Sequence, residues 1–152
     1  MKIREEFIKK VQTSKLVVVS APPGSGKSTQ LPQYLAELSH LFPKLIVSTQ
    51  PNPMTPISLS RRVALEYDCT SVGDSIGFRV GSGEHNMVKG SRIMFMSDSS
   101  VLDLLQTDQL LEEVSVLLID DVHERSINTD ILLGLAKSIL SKREDFHVVI
   151  LC

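Results

Sequence analysis

Short apolar runs alternate with amphipathic stretches along this chain. Five runs are apolar on both faces instead of alternating, which is typical of parallel strands covered by helices on each side. They occupy residues 16–20, 45–49, 92–97, 116–120 and 147–151. The pattern predicts an α/β fold with a doubly wound, mainly parallel sheet. In such folds ligands bind at the carboxyl ends of the strands.

The stretches between these runs carry apolar residues at helical spacing. They predict helices at residues 28–41, 57–67, 101–105 and 131–140. Asn128 or Thr129 is the expected N-cap of the last helix, because both side chains can accept a hydrogen bond from a first-turn amide. Residues 81–84 are expected to form a tight turn between two short extended pieces.

Bulk properties narrow the class of protein. The 152 residues suffice for one domain that buries about two thirds of the surface of its unfolded chain. The net charge of −2 provides no global positive field, so any contact with nucleic acid must be local. The sequence ends inside an apolar run, whereas domain termini are usually polar, and we therefore expect a piece of a longer protein.

The N-terminal residues are too charged for a signal peptide, and no apolar run approaches membrane-spanning length. We therefore expect no membrane association. Cys69 and Cys152 are the only two cysteines, which favours reduced thiols in an intracellular protein over a disulfide framework. The sequence does not distinguish between a nuclear and a cytoplasmic location of the protein.

Residues 21–29 read Ala-Pro-Pro-Gly-Ser-Gly-Lys-Ser-Thr and connect the first strand to the first predicted helix. Such a loop directs backbone N–H groups at phosphate oxygens, and the helix N-terminus adds partial positive charge. Lys27 would reach the β- and γ-phosphates, and the Ser28 hydroxyl would bind magnesium. The alternative is a glycine-rich turn without a ligand. The predicted nucleotide-binding residues of the loop are Gly24, Ser25, Gly26, Lys27, Ser28 and Thr29.

A second acidic site follows the fourth strand, where Asp120 ends the apolar run and Asp121 comes next. In a phosphate-loop fold, a carboxylate on a neighbouring strand tip holds magnesium, and a second one orients or deprotonates the attacking water. Asp120 is the candidate metal ligand and Asp121 the candidate base. Paired aspartates that only cap a strand end are the alternative. For His123, the spacing alone favours neither a functional role nor a purely structural one.

These motifs resemble the first RecA-like domain of a DEAH-box (RNA helicase A-like) superfamily 2 helicase. Residues 24–34 are similar to the family's GSGKTTQ-I-PQ-Y stretch, and residues 48–51 match the start of motif Ia. Residues 96–99 stand where motif Ib has Met-Thr-Asp-Gly. Residues 120–134 resemble the signature box and its HERS-NTDILLG continuation. The resemblance covers residues 10–152.

The resemblance implies a RecA-like P-loop NTPase domain over residues 1–152 that uses ATP and Mg²⁺, ends before motif III and works with a second RecA-like domain. Lys27, Asp121 and His123 would be catalytic, with His123 coupling nucleotide state to the second domain. Arg62 would lie against the adenine ring; without the resemblance it is a solvated helix residue. The positions expected along a single-stranded RNA path, with contacts to the RNA backbone, are Thr49, Ser97 and Asp98.

Several positions depart from the family pattern, among them Ala21 at the start of the phosphate loop and Asp74, Gly77 and Arg79 in the segment that resembles VGY-IRFE. Two further departures bear most on hydrolysis and RNA binding. Asp121 replaces the glutamate of the Asp-Glu-Ala-His box, and its carboxylate is one methylene shorter. Asn52 and Pro53 replace an arginine pair of motif Ia. We therefore keep two hypotheses for the parent protein: an ATP-hydrolysing RNA helicase, and a hydrolysis-impaired, nucleotide-dependent scaffold for RNA processing. The signature-box continuation argues against a small nucleotide kinase.

Overall fold

The computed structural model describes residues 2–22, 24–67, 75–80, 84–86 and 91–152. The predicted turn at residues 81–84 lies outside the described residues except for Glu84, and Cys69 also lies outside them. The extended pieces expected on either side of that turn are present as two strands, β3 and β4 below.

The described part of the chain contains seven strands and five α-helices. The strands are β1 Leu16–Val19, β2 Leu45–Gln50, β3 Ile76–Val80, β4 Glu84–Asn86, β5 Ile93–Ser97, β6 Val114–Ile119 and β7 His147–Leu151. The helices are α1 Lys2–Thr13, α2 Lys27–Glu37, α3 Thr55–Tyr67, α4 Asp98–Thr107 and α5 Ile127–Lys142, and a 3₁₀ turn covers Val122–Glu124.

The strands form a single sheet in the order β1-β7-β6-β2-β5-β3-β4. All pairs are parallel except β3 with β4, which is antiparallel. Helices α1, α2 and α3 bury their apolar faces in one core, and α4 and α5 pack in a second core on the opposite face of the sheet. The predicted α/β class with helices on both faces is confirmed. The carboxyl ends of β2, β5 and β6 meet at one edge of the fold.

The predicted strands agree with the structure to within two residues at each end, and the helices agree less well. Helix α2 ends at Glu37, because Leu38 leaves the helical conformation, although Leu38 and Leu41 continue the apolar spacing. Helix α5 begins at Ile127, and its N-cap is Ser126, whose Oγ accepts from the Thr129 N–H at 3.0 Å. The prediction of Asn128 or Thr129 as the cap was wrong, since the helix starts four residues earlier than its apolar stripe indicated.

Candidate nucleotide site

A cavity of about 370 Å³ lies at the carboxyl ends of the strands, between the loop after β1, helix α3 and the loop after β6. It joins segments about one hundred residues apart in sequence. Its lining is Gly24, Ser25, Gly26, Lys27, Ser28, Thr29, Leu59, Arg62, Asp121 and His123. The structure therefore brings the predicted phosphate loop, the candidate base and the candidate adenine contact around one space.

The phosphate loop depends on two glycines. Gly24 has φ 81° and Gly26 has φ 84°, a left-handed conformation that costs other L-residues energy. Gly26 is also the N-cap of α2, and no side chain among the described residues caps this helix. The Thr29 N–H donates to the Gly26 carbonyl oxygen at 3.2 Å, so the amides of Lys27 and Ser28 are the first-turn groups that an anion could use.

Lys27, the first residue of α2, points back along the sheet. Its Nζ donates to the main-chain oxygens of Ala21 and Cys152, each at 3.0 Å. These two oxygens lie at the carboxyl ends of β1 and β7, directly beside the loop. Two of the three N–H groups of the ammonium are thus bonded to backbone oxygens.

Asp120 follows β6 and is almost completely buried, with 1% of its surface exposed. Burial raises the pKa of its carboxyl group, and the neighbouring Asp121 adds to this; the nearby Ser28 hydroxyl, the Asp121 N–H and Gln50 act in the opposite direction. Its Oδ1 accepts from the Asp121 N–H at 2.8 Å. Its Oδ2 makes no well-formed hydrogen bond among the described residues. A buried carboxylate oxygen without a partner, next to a serine hydroxyl, is a donor set that suits Mg²⁺.

Asp121 and His123 occupy the short turn after Asp120. Asp121 is half-buried and left-handed, with φ 52°, and Arg125 at the end of the turn has φ 54°. His123 and Glu124 are exposed. One ligating atom from each of Asp121, His123 and Glu124 lies within 4.8 Å of the others. Asp120, which precedes Asp121 in the sequence, is not among the residues that line the cavity.

Arg62 lines the cavity from α3, with a side chain that is 70% exposed. Its Nε lies 3.3 Å from Glu66 Oε1. Glu66 Oε2 accepts from Gln30 at 3.0 Å and from Gln33 at 2.9 Å. Sequence reasoning singled out the Thr-Gln and Pro-Gln pairs as part of the resemblance but missed Glu66, because no local pattern links it to α2.

Thr49, Ser97 and Asp98, predicted along the RNA path, lie at the carboxyl ends of β2 and β5, and all three are buried. Thr49 Oγ1 donates to Asp98 Oδ1, and Ser97 Oγ accepts from the Ser100 N–H at 3.3 Å. The side chains therefore bond within the protein instead of facing solvent. Contact between these positions and RNA remains a prediction.

No protein-family model matches the chain. Its sequence is 37% identical over 98% of its length to the ATP-dependent RNA helicase HrpA of Borreliella burgdorferi. It is 36% identical, again over 98% of its length, to a putative pre-mRNA-splicing factor ATP-dependent RNA helicase of Schizosaccharomyces pombe. The crystal structure of Escherichia coli DEAH/RHA helicase HrpB superposes on 99% of the chain with a TM-score of 0.91 and 25% identity. In sequence and in fold, the chain is similar to a DEAH-box superfamily 2 helicase domain.

The chain spans 18% and 23% of the two relatives and 19% of the HrpB chain. The similarity therefore covers almost all of the domain and about a fifth of each known protein. Among the described helices, none combines the length and the apolar character needed to cross a membrane.

Proposed function

We propose that this chain is the first RecA-like, ATP-binding domain of an ATP-dependent RNA helicase that hydrolyses ATP to translocate on or remodel RNA. The observation that carries the proposal is the cavity where the phosphate loop meets Asp121 and His123, with the buried Asp120 carboxylate beside Ser28. The names of the relatives support both ATP and RNA as ligands of the parent. The second RecA-like domain would belong to the same parent chain, and the protein would act inside the cell.

The phosphate loop would hold the triphosphate of ATP. Amides at the start of α2 and the left-handed turns at Gly24 and Gly26 favour an anion. Lys27 would leave the oxygens of Ala21 and Cys152 to neutralise the β- and γ-phosphates. Arg62, held by Glu66, would lie against the base as a planar cation.

Ser28 and Asp120 would hold Mg²⁺, which when bound supplies charge neutralisation to the transferring phosphoryl group. Asp121 would accept the proton of the attacking water or orient that water. His123, exposed at the rim of the cavity, would contact the second RecA-like domain and respond to nucleotide state. Neither role requires a large rearrangement, since both residues already line the cavity.

Single-stranded RNA would run across the carboxyl ends of β2 and β5 and be held through its backbone. Thr49, Ser97 and Asp98 lie beneath that surface. They would shape it while main-chain groups and exposed neighbours contact the phosphates, which fix position without reading sequence.

Titration of the chain with a fluorescent ATP analogue in Mg²⁺ tests the proposal. The Lys27→Met variant is expected to lose at least about tenfold in affinity, because the point charge on the phosphates is removed. Lys137→Met, at an exposed lysine of α5, is the matched control and should bind as the wild type does. Equal binding by the wild type and Lys27→Met would refute the nucleotide site.

The hydrolysis-impaired scaffold remains the alternative because Asp121 carries a shorter carboxylate than the family's glutamate. ATP turnover of the complete parent with RNA, beside its Asp121→Glu variant, distinguishes the two functions. A silent parent that gains turnover on substitution supports the scaffold, and robust turnover of the unmodified parent excludes it.

A further inference from the structure

We propose that Asp98 is a positioning residue that fastens both ends of the acidic loop, defined as residues 120–125, through Thr49 on one side and Thr129 on the other. This role is separate from the RNA contact expected of Thr49 and Asp98, which stays a prediction, and it adds Thr129 to the site. The fastening is a property of the fold. Its consequence for magnesium rests on the proposed function.

The first end of the acidic loop is fixed through Thr49. The Asp120 N–H donates to the Thr49 carbonyl oxygen at 2.9 Å, which continues the pairing of β6 with β2 past the last strand residue. The hydroxyl of the same threonine donates to Asp98 Oδ1. Thr49 thus holds the start of the loop with its main chain and the carboxylate with its side chain.

The second end is fixed through Thr129. Its hydroxyl donates to Asp98 Oδ2, and its N–H donates to Oγ of Ser126, the N-cap of α5, at 3.0 Å. The two hydroxyl oxygens lie 2.6 Å apart. Because the single hydroxyl proton of Thr129 goes to Asp98, the Ser126 hydroxyl must donate to Thr129. A continuous chain of hydrogen bonds therefore runs from Asp98 to the residue that follows the loop.

Burial makes this arrangement stiff. Asp98 is 1% exposed, and Thr49 and Thr129 are 0% exposed. Hydrogen bonds are stronger away from water, and a buried acceptor that loses its donor pays the full cost of desolvation. Asp98 is also the first residue of α4, where the helix dipole favours its negative charge. Each oxygen of a carboxylate fixed by α4 is thus committed to one end of the acidic loop.

The backbone of the acidic loop between these two anchors adopts energetically unfavourable conformations. Asp121 and Arg125 both have left-handed φ angles, and a 3₁₀ turn lies between them. Such conformations persist only where the surrounding structure over-determines them. The carboxylate of Asp98 supplies that constraint. It thereby sets the direction in which Asp120 and Asp121 present their oxygens, one behind the cavity and one on its wall.

Amide hydrogen exchange of the ligand-free chain, followed by NMR, tests the fastening without any ligand. Thr129→Val removes the hydroxyl and keeps the shape of the side chain. Exchange at Asp121, Glu124 and Arg125 should rise at least about tenfold relative to amides of β7. Thr129→Ser, which keeps the hydroxyl, should stay within about threefold of the wild type.

The matched control is Ser115→Ala, which removes a buried hydroxyl at the other end of β6, where it accepts from the Lys44 N–H at 2.8 Å. It should leave exchange in the acidic loop unchanged. If Thr129→Val does not fold, Asp98→Asn, which keeps one acceptor oxygen, should raise loop exchange by about threefold. Unchanged loop exchange in the folded variants would overturn the fastening.

Nucleotide affinity with and without Mg²⁺ tests the consequence. In the wild type, Mg²⁺ should tighten binding; in Thr129→Val that gain should shrink by at least about threefold, while binding in EDTA stays constant because the phosphate loop is untouched. Thr129→Ser should restore the gain. Faster loop exchange with an unchanged magnesium gain would overturn the positioning role. A wild type that binds no nucleotide would refute the proposed function and leave the exchange result to decide the fastening.

Discussion

Nε of Arg62 lies 3.3 Å from Oε1 of Glu66, and the other oxygen of Glu66 receives hydrogen bonds from two glutamines of the helix that carries the phosphate loop. The arginine proposed to meet the base is therefore held, through one carboxylate, by the helix proposed to meet the phosphates. The pKa of Glu66 is lowered, chiefly by the hydrogen bond from Gln33. The carboxylate thus stays ionised, and the pair intact, until the pH falls through that lowered pKa.

Glu66→Gln should weaken ATP binding by about threefold, in line with the loss of an exposed ion pair. Binding of inorganic tripolyphosphate should not change, because that ligand has no base for Arg62 to meet. Calorimetric titration of the two ligands measures the difference. The matched control is Glu37→Gln, which breaks the ion pair between Glu37 and Arg4 outside the cavity. Equal losses for both ligands would contradict a positioning effect on the base.

Asp120→Asn should stabilise the ligand-free chain while abolishing the magnesium gain in nucleotide affinity. The folded state raises the pKa of Asp120, so the fold favours the protonated form. Its stability contribution is complete below the unfolded pKa and declines as the pH rises through the folded pKa. The amide removes this decline, with an expected gain near neutral pH of about 1 kcal/mol, the lower end of the cost of an unpartnered buried polar group.

Thermal unfolding from acidic to neutral pH, with and without Mg²⁺, measures this effect. The control Asp103→Asn changes an exposed carboxylate of α4 and should alter neither quantity. A variant that melts earlier than the wild type at neutral pH without Mg²⁺ would show that Asp120 is not a strained group kept for binding.

Alanine substitutions at three glycines should separate backbone strain at positive φ from the higher helix propensity of alanine. A Cβ on Gly24 would meet no atom within 4 Å, so Gly24→Ala is penalised only by its φ of 81°, at about 1–2 kcal/mol. Gly26→Ala should cost a similar amount. Gly134→Ala, in open space in the middle of α5, should instead stabilise the chain by about 0.5–1 kcal/mol. Urea unfolding of the three variants gives the sign of each change in the free energy of unfolding. Destabilisation by Gly134→Ala as well would contradict its placement in open space in the middle of α5.

Asp121→Glu should destabilise the isolated chain by about 0.5–1 kcal/mol, because aspartate tolerates the left-handed region better than glutamate does. Asp103→Glu, on the exposed face of α4, is the control and should be neutral within about 0.5 kcal/mol. Unfolding midpoints report both. A neutral Asp121→Glu would show that the acidic loop relaxes easily, which would also weaken the fastening proposed for Asp98.

Local patterns predicted what depends on neighbours in sequence. The strand run at residues 147–151 matches β7, and the predicted loop at residues 21–29 does connect β1 to the next helix in the sheet fold, α2. Helix ends were less certain, because apolar spacing shows which residues face the core and not where capping hydrogen bonds form. Thus α5 begins at Ile127, an exposed residue outside the apolar stripe. Helix α1 was not predicted, because most of its residues are charged or polar and its apolar stripe is short.

Contacts between distant segments were beyond sequence reasoning. The bonds of Asp98 to Thr49 and Thr129 cross 49 and 31 residues, and nothing in either segment marks the partner. The same holds for Lys27 and Cys152, which meet because β1 and β7 are neighbours in the sheet. The resemblance implied functional roles for Lys27, Thr49 and Asp98, but not for Thr129 or Cys152. Only the folded chain shows that Asp98 faces inward.

Among the described strands, β1 pairs with β7 alone, so one of its edges is open. Leu16 and Val18, on the same face of β1, are 49% and 60% exposed. An exposed, apolar edge strand is a template for pairing with another strand, either from the parent polypeptide or from a second molecule. The four residues of β1, Leu16–Val19, lead directly into the loop that carries Gly24 and Gly26. A segment that paired with β1 would therefore shift the loop proposed to bind the phosphates of ATP, and the affinity for ATP would change with it.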